Sequence, residues 1–252
     1  MASDTTSQSA DVTIKTVSDL EFVPLNPARG DAAPQAGVLW GDIREDVASG
    51  VILKFADGFS SPPHIHNITY RAVVISGGIH NDDPDAAKMW MGPGSFWTQP
   101  AGESHITAAE PGQAGVAFLE IQSGPYLVQP VDKAFDNGER PVNLLASNMV
   151  WLNATDRSKV VTDSGVAAIS YLWEHDGAGA AMLKLPSGST HRMSTMGGDM
   201  KAVIIQGKVD YRDKNMEPGA YFASGAGVEH VLSCSDGPCL IYVRTDGDIS
   251  VK

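Results

Sequence analysis

Three histidines in the first half of the chain have the side-chain type and the spacing of metal ligands. His64 and His66 are separated by one residue, in a strand-like stretch that follows two prolines. Successive side chains of a strand alternate between its two faces, so both imidazoles can point to the same side. His105 follows a Pro-Ala-Gly turn at 100–102 and supplies a third imidazole. Three protein ligands leave coordination positions open, so the pattern predicts a catalytic divalent-metal site.

The three imidazole ligands narrow the range of possible metals but do not identify one. Neutral imidazole binds Zn, Fe, Ni and Cu. We expect one divalent ion, with Zn or Fe first and Mn, Ni or Cu as alternatives.

Tyr70 begins the next strand-like run after His66, and two roles are open for it. It can be a phenol beside the metal that transfers a proton, donates a hydrogen bond or binds weakly. It can equally be an aromatic side chain packed in the core of the sheet. The pKa of an ordinary tyrosine is near 10, so the phenol is a poor base unless a metal lowers that pKa.

Other candidate substrate-binding residues lie close to His105 in sequence. Gln99 and Glu103 flank Pro100, so either can orient a ligand or contact substrate, although a surface turn is an equal alternative for Glu103. Trp97 fits either a pocket wall or the core. The stretch 77–85, which contains His80 and three aspartates, is predicted to be an exposed turn.

The chain contains an internal repeat. Residues Gly58–Gly77 align without a gap with residues Gly188–Gly207, and both segments end in a basic residue, Ala-Val, an aliphatic residue, Ile, a polar residue and Gly. This match predicts two homologous domains, 15–138 and 139–252, after a flexible segment 1–14. Short β-rich runs bounded by turn residues predict an all-β barrel or sandwich in each domain. These runs are Val51–Phe55, Tyr70–Ile75, Val116–Ile121 and Leu240–Val243.

The composition excludes several kinds of partner. The chain has 30 acidic and 18 basic residues, a formal net charge of −12. An acidic surface repels nucleic acid and anionic membranes, and no apolar run approaches the ~18 residues of a membrane span. Two cysteines are too few for a Cys-rich zinc domain. A small-molecule ligand or substrate is therefore the expected partner.

The first half of the chain resembles the cupin family in two motifs. The first is G-x5-H-x-H-x3-E-x6-G, and the second is G-x5-P-x-G-x2-H-x3-N. The matching positions are Gly58, His64, His66, Tyr70 and Gly77, followed by Gly94, Pro100, Gly102, His105 and Ala109. Tyr70 replaces the motif glutamate and Ala109 the asparagine, so the site is similar to that of three-histidine cupins.

The resemblance implies a fold and an assembly. The expected fold class is all-β, with two tandem cupin double-stranded β-helix (jelly-roll) barrels. The match covers nearly all of residues 15–250 and extends to two-cupin proteins related to the cupin domain of ChrR-type anti-sigma factors. A homodimer is expected, since cupins often dimerise through strand edges.

The second half is predicted to be a degenerate cupin that supports the fold or shapes the pocket of the first. The ungapped alignment puts Ser194 at the position of His64, Met196 at that of His66 and Met200 at that of Tyr70. His230 is the single ligand position that is kept.

Cys234 and Cys239 enclose Ser-Asp-Gly-Pro, a turn between two strand-like runs. A disulfide across this hairpin would favour a periplasmic or secreted protein, whereas two reduced thiols would fit a cytoplasmic one.

Two functions remain open from the sequence. The first is a metal-dependent enzyme on a small organic substrate, either of oxygenase type or of lyase or hydrolase type, with Tyr70 as the proton-transfer group. The second is a non-catalytic small-molecule or redox sensor, as the resemblance to ChrR-type regulators implies.

Overall fold

The computed structural model describes residues 12–153, 161–162 and 167–252. Within these ranges the regular structure is almost entirely β, as the short β-rich runs bounded by turn residues predict. Short 3₁₀ turns occur at Val17–Asp19, Pro27–Ala32, Val131–Lys133 and Ala146–Asn148. Among the described residues, no helix has the length and apolar character needed to cross a membrane.

The strands before residue 130 are β1 (Val12–Lys15), β2 (Phe22–Pro24), β3 (Gln35–Trp40), β4 (Ser49–Phe55), β5 (Ile65–His66), β6 (Tyr70–Ser76), β7 (Ile79–Asp82), β8 (Phe96–Gln99), β9 (Ile106–Ala109), β10 (Gly115–Ile121) and β11 (Val128–Gln129). The later strands are β12 (Val142–Leu144), β13 (Val161–Thr162), β14 (Ala168–His175), β15 (Ala178–Leu185), β16 (Thr190–Met196), β17 (Met200–Gln206), β18 (Val209–Tyr211), β19 (Lys214–Met216), β20 (Tyr221–Ser224), β21 (His230–Cys234), β22 (Cys239–Thr245) and β23 (Asp248–Val251).

These strands form two tandem jelly-roll barrels. The first barrel has a seven-stranded sheet of order β12-β8-β6-β10-β4-β3-β2 and two small sheets, β7-β9 and β11-β5. The second barrel has two six-stranded sheets, β1-β20-β17-β22-β15-β14 and β13-β23-β16-β21-β18-β19. The predicted fold class, all-β with two jelly-roll barrels, is confirmed.

The two barrels exchange edge strands. β1 lies at the start of the chain but pairs with β20 of the second barrel, with Val12 opposite Ser224. β12 follows residue 138 but pairs with β8 of the first barrel, with Val142 opposite Thr98. The predicted flexible segment 1–14 thus ends in an ordered strand, and its residues 1–11 lie outside the described residues.

Alternation along β6 explains why almost all of this strand is buried. Tyr70, Ala72 and Val74 point into the core of the first barrel, whereas Val73 and Ile75 point to a second apolar cluster. That cluster contains side chains from both barrels, such as Phe118 and Tyr242, whose ring centroids are 5.0 Å apart. The seven-stranded sheet of the first barrel therefore packs against the six-stranded sheet of the second barrel that contains β15, β17, β20 and β22. One face of β6 lies in the core of the first barrel and the other in this interface.

A buried polar chain also joins the two barrels. Tyr242 Oη donates a hydrogen bond to Glu120 Oε1 at 2.5 Å, and Trp173 Nε1 donates one to Tyr242 Oη at 2.8 Å. Burial raises the pKa of the Glu120 carboxyl, while the hydrogen bond from Tyr242 and the nearby Arg244 guanidinium lower it.

The structure corrects the prediction for the stretch 77–85. His80 lies in β7 and is 1% exposed, instead of lying in an exposed turn. The next residue, Asn81, is also buried. The polar sequence hid a short strand in which Ile79 packs in the core and Asn81 bonds Tyr70. Asp83 and Asp85, after this strand, are exposed as predicted.

Candidate metal centre

His64, His66 and His105 converge inside the first barrel. Their nearest ligand atoms all lie within 4.8 Å of one another, and all three side chains are buried. His66 belongs to β5, which pairs with β11 so that Val128 lies opposite it. His64 and His105 face each other in an isolated antiparallel bridge. Backbone pairing therefore holds all three imidazoles around one point.

The other nitrogen of each imidazole is held by a backbone carbonyl. The Nδ1 atoms lie close to three carbonyl oxygens: His64 to Pro62 O at 2.9 Å, His66 to Leu127 O at 2.9 Å, and His105 to Glu103 O at 3.1 Å. A carbonyl can only accept a hydrogen bond, so each Nδ1 carries the proton. Each Nε2 is then unprotonated and presents its lone pair to the shared point.

This donor set fits a divalent cation. His64 Nε2 lies 3.2 Å from His66 Nε2. With both protons on Nδ1, neither nitrogen can donate to the other, and their lone pairs repel. A cation between them removes that repulsion, and three imidazoles are typical ligands of Zn and of other divalent transition metals.

The three histidines are kept in the form that binds metal. Burial lowers the pKa of His105 to about 3 and lowers the pKa of His66 well below its usual value. Burial also lowers the pKa of His64, and the positive charge of Arg29 lowers it further. All three imidazoles are therefore neutral at neutral pH, as metal binding requires.

Asn81 joins the polar side chains behind the metal ligands. Its Oδ1 accepts hydrogen bonds from Tyr70 Oη at 2.8 Å and from Thr107 Oγ1 at 2.7 Å. Its Nδ2 donates to Gln99 Oε1 at 2.8 Å. The amide thus uses its acceptor and a donor inside the barrel, which fixes the orientation of Tyr70 and Gln99.

Gln99 carries this network to His105. Gln99 Nε2 donates to Glu103 O at 3.0 Å, the same carbonyl that accepts from His105 Nδ1. Glu103 therefore contacts His105 through its backbone carbonyl and not through its side chain. Neither the Gln99 nor the Glu103 side chain is among the lining residues of the histidine cavity.

Tyr70 presents its oxygen, not its proton, to the metal position. The hydroxyl proton is donated to Asn81, so the Oη lone pairs face His105 Nε2 at 3.3 Å. Burial raises the pKa of Tyr70 to about 12, against the lowering effect of the side chains of Trp97, Thr107 and Asn81. Tyr70 is therefore protonated throughout the physiological pH range.

Tyr126 is a second phenol in the site, and no sequence motif marks it. Its ring stacks on His66 with centroids 4.3 Å apart, and its Oη lies 3.1 Å from His66 Nε2. Burial raises its pKa well above 10. Tyr126 follows β10 in a loop that returns to the barrel, where Tyr126 N donates to Ile43 O at 2.7 Å. Only this long-range return brings the ring to the histidines.

His64 and His66 line a cavity of about 150 Å³, and His105 lies behind them. The walls of the cavity are mainly apolar, and its lining includes Trp97. Other lining residues are Leu25, Arg29, Phe55, Phe59, Tyr70, Leu119 and Tyr126. Two other clefts, of about 280 and 520 Å³, include none of the three histidines.

The second barrel has a filled interior in place of a metal centre. His230 Nδ1 is 2.7 Å from Tyr211 Oη, and His230 Nε2 is 2.9 Å from Ser224 Oγ, so both ring nitrogens are occupied. Over the part of the chain that the structure describes, the single cluster able to hold a metal is that of the first barrel.

The strand register also corrects the alignment of the two halves. Met193 lies opposite His230, as His64 lies opposite His105. Met193, and not Ser194, is thus the counterpart of His64, and Met196 is 56% exposed. A shift of one residue moves a strand side chain to the other face of the sheet, so the ungapped alignment named the wrong residues.

Cys234 ends β21 and Cys239 begins β22, but these two strands lie in different sheets and do not form the predicted hairpin. The Cα atoms of the two cysteines are 5.9 Å apart. This Cα separation lies within the range found for disulfides.

Solved structures share the fold. A protein of Nostoc punctiforme with the provisional description of a dioxygenase has a TM-score of 0.73 and 16% identity, over 95% of this chain and 84% of that one. Lactobacillus farciminis oxalate decarboxylase, in a formate complex, has a TM-score of 0.61 and 12% identity, over 94% and 87% of the two chains. AerE of Microcystis aeruginosa has a TM-score of 0.59 and 13% identity, over 92% and 97%.

At these identities the likeness is one of fold, and it confirms the cupin architecture expected from the motifs. No curated protein has a significant sequence match to the chain. Residues 13–252 match the family model described as a domain of unknown function, DUF4437, and the chain therefore belongs to that family.

Proposed function

We propose that this protein is a metal-dependent enzyme of oxygenase type that acts on a small organic substrate in its first barrel. The observation that carries the proposal is the convergence of three unprotonated Nε2 atoms beside an apolar cavity that His64 and His66 line. The domain 15–138 provides the ligands, and the domain 139–252 supports the fold.

A divalent metal held by His64, His66 and His105 would supply Lewis acidity and, if it is Fe(II), the ability to activate O₂. The protein side chains supply position and exclusion of water. Trp97 and the apolar walls limit the access of solvent. Fe(II) is the ion that we propose first, and Zn is the alternative.

The lack of a suitable base favours an oxygenase over a lyase or hydrolase. A general base acts best with a pKa near the working pH. The lining residues of the cavity, all of them described, include no aspartate or glutamate. Tyr70 and Tyr126 hold their protons at neutral pH because burial raises the pKa of each. We therefore propose that Tyr70 positions the bound ligand and does not remove a proton.

Gln99 and Glu103 are proposed as positioning residues. They act through the Glu103 carbonyl on His105 Nδ1, and thus on the direction in which His105 Nε2 points. Trp97 keeps its proposed role in substrate binding, since it lines the cavity.

A sensing role related to ChrR-type regulators is the second candidate. The same absence of a general base from the lining favours binding without turnover. A sensor would bind metal and ligand, change its affinity for a partner and consume neither ligand nor oxygen. The resemblance to ChrR-type proteins supports this alternative, while the oxygenase proposal rests on the open metal site.

The experiment compares wild-type protein with the double variant His64→Ala/His105→Ala after anaerobic loading with Fe(II). Oxygen uptake is recorded with a panel of small organic acids, aldehydes and phenols. Uptake that depends on both substrate and histidines supports the oxygenase. Bound metal without uptake or product supports the sensor, and metal retained in the double variant overturns the metal centre.

Two further expectations belong to this proposal. A disulfide between Cys234 and Cys239 would place the protein in an oxidising compartment such as the periplasm or the cell exterior. We also expect a homodimer, which sedimentation of the purified protein measures directly.

A further inference from the structure

The histidine cavity differs in charge from the rest of the protein. The chain has 30 acidic and 18 basic residues. The cavity lining, by contrast, includes one guanidinium, that of Arg29, and none of the described carboxylates. The three histidines are neutral, so a bound divalent ion keeps its charge uncompensated by the protein. The positive charges of Arg29 and of a bound divalent ion therefore favour an anionic ligand.

Arg29 is held at the cavity by a defined turn. Its backbone N donates to Asn26 O at 3.0 Å, and Ala33 N donates to Gly30 O at 3.0 Å. Between these bonds Gly30 has φ 52° and ψ −133°, a conformation that is essentially restricted to glycine. The turn thus directs the chain around the cavity opening and keeps Arg29 beside it.

The Arg29 guanidinium has no internal partner that would neutralise it. Within the described part of the chain, none of the ion pairs or side-chain hydrogen bonds involves its guanidinium nitrogens. Arg71, Arg140, Arg192 and Arg244 each pair with a carboxylate. An exposed arginine that lines a cavity without a carboxylate is suited to bind an anion from solution.

The remaining walls determine the body of the ligand. Leu25, Phe55 and Phe59 line the same cavity as Arg29, His64 and His66. The volume of about 150 Å³ is below the roughly 300–1,000 Å³ of drug-sized sites. The ligand must be small and largely apolar between its two polar ends.

We infer that the cavity binds a small organic carboxylate with an apolar body, whose carboxylate pairs with Arg29 and whose other end reaches the three histidines. This inference rests on the proposed function, since it names the substrate class of the same site. It does not depend on whether the ligand is turned over.

The experiment uses protein loaded with Zn, which is redox-silent, so that binding is measured without turnover. The probes are matched pairs of acid and primary amide, from butanoate and butanamide to benzoate and benzamide, titrated by calorimetry. We expect at least one acid to bind about tenfold or more tightly than its amide, in keeping with the strength of a charged hydrogen-bonded pair. Arg29→Gln should abolish the preference, and Arg29→Lys should keep part of it.

Arg44→Gln is the matched control. Arg44 is also an exposed arginine of the first barrel, but it lines the neighbouring cleft. Its replacement should leave the acid preference unchanged, and all three variants should retain their Zn.

Three outcomes overturn the inference: amides that bind as tightly as acids, a preference that survives Arg29→Gln, or no binding of any acid by Zn-loaded wild-type protein. Metal content separates these from failure of the proposed function. If His64→Ala/His105→Ala retains Zn, the metal centre itself is wrong.

Discussion

His64 and His105 are joined through their backbones as well as through the site they share. His64 N donates to His105 O at 3.1 Å, and His105 N donates to His64 O at 3.0 Å. Their ring centroids are 4.3 Å apart. Two ligands from distant parts of the chain are thus held by the same pair of backbone hydrogen bonds, which makes the site preorganised before any metal arrives.

Loss of either of these ligands should release the metal. We expect His105→Ala to weaken binding of Zn or Fe(II) by more than the 10–100-fold typical of changes outside the ligand set. Elemental analysis after dialysis against a weak chelator measures the effect. His175→Ala is the control, because His175 is an exposed residue of the second barrel. Equal metal content in both variants would contradict the assignment.

Gln99 should act on metal binding from a distance. In Gln99→Leu, Asn81 Nδ2 loses its acceptor and the Glu103 carbonyl loses a donor. We expect about 10–100-fold weaker metal binding and a loss of about 1–3 kcal/mol in the free energy of unfolding. Gln113→Leu, at an exposed position, should change neither quantity. A variant that loses stability but keeps full metal affinity would assign Gln99 to the fold alone.

Tyr70 should remain a phenol at high pH. Burial raises its pKa to about 12, so the ultraviolet signal of tyrosinate from Tyr70 should be absent below pH 10 in native protein. The difference between the titration curves of wild-type and Tyr70→Phe protein isolates this residue. Tyr70→Phe should retain its metal. Ionisation of Tyr70 near pH 7 would instead restore it as the general base that the sequence suggested.

The metal-free protein should lose stability as the pH falls from about 6.5 to about 3. The pKa of His105 is about 3 in the folded chain and near 6.5 in the unfolded chain, so the unfolded chain binds more protons between these values. The free energy of unfolding therefore falls with falling pH, by up to about 1.4 kcal/mol per pH unit for one such histidine. Urea unfolding of wild-type and His105→Gln protein measures the slope, and equal slopes would rule out this contribution.

The cysteine pair should be oxidised in protein purified without reductant. Cys234 and Cys239 should then resist alkylation in the denatured chain until a reductant is added. Mass spectrometry of the peptide that contains both residues gives the result. The double variant Cys234→Ser/Cys239→Ser serves as the reference for complete lack of alkylation. Two freely reactive thiols would argue for the cytoplasmic alternative.

Local sequence determined the metal ligands and the class of fold. The spacing of His64 and His66 places both on one face of a strand, and the second motif supplies His105, because these properties depend on neighbours along the chain. The short β-rich runs between turn residues likewise predicted β6 and β10. The prediction that His80 lies in an exposed turn was wrong because local sequence alone cannot distinguish a polar strand from a turn. The pairing of β7 with the distant strand β9 is what makes it a strand.

Tertiary structure decided what surrounds the ligands. Tyr126, Asn81 and Arg29 come from separate loops and strands, and no motif relates them to the histidines. The counterpart of His64 in the second barrel depends on strand register, where a shift of one residue reverses the face. The chain sets its own local periodicity, but only the closure of the barrel selects which distant side chains meet at the metal position.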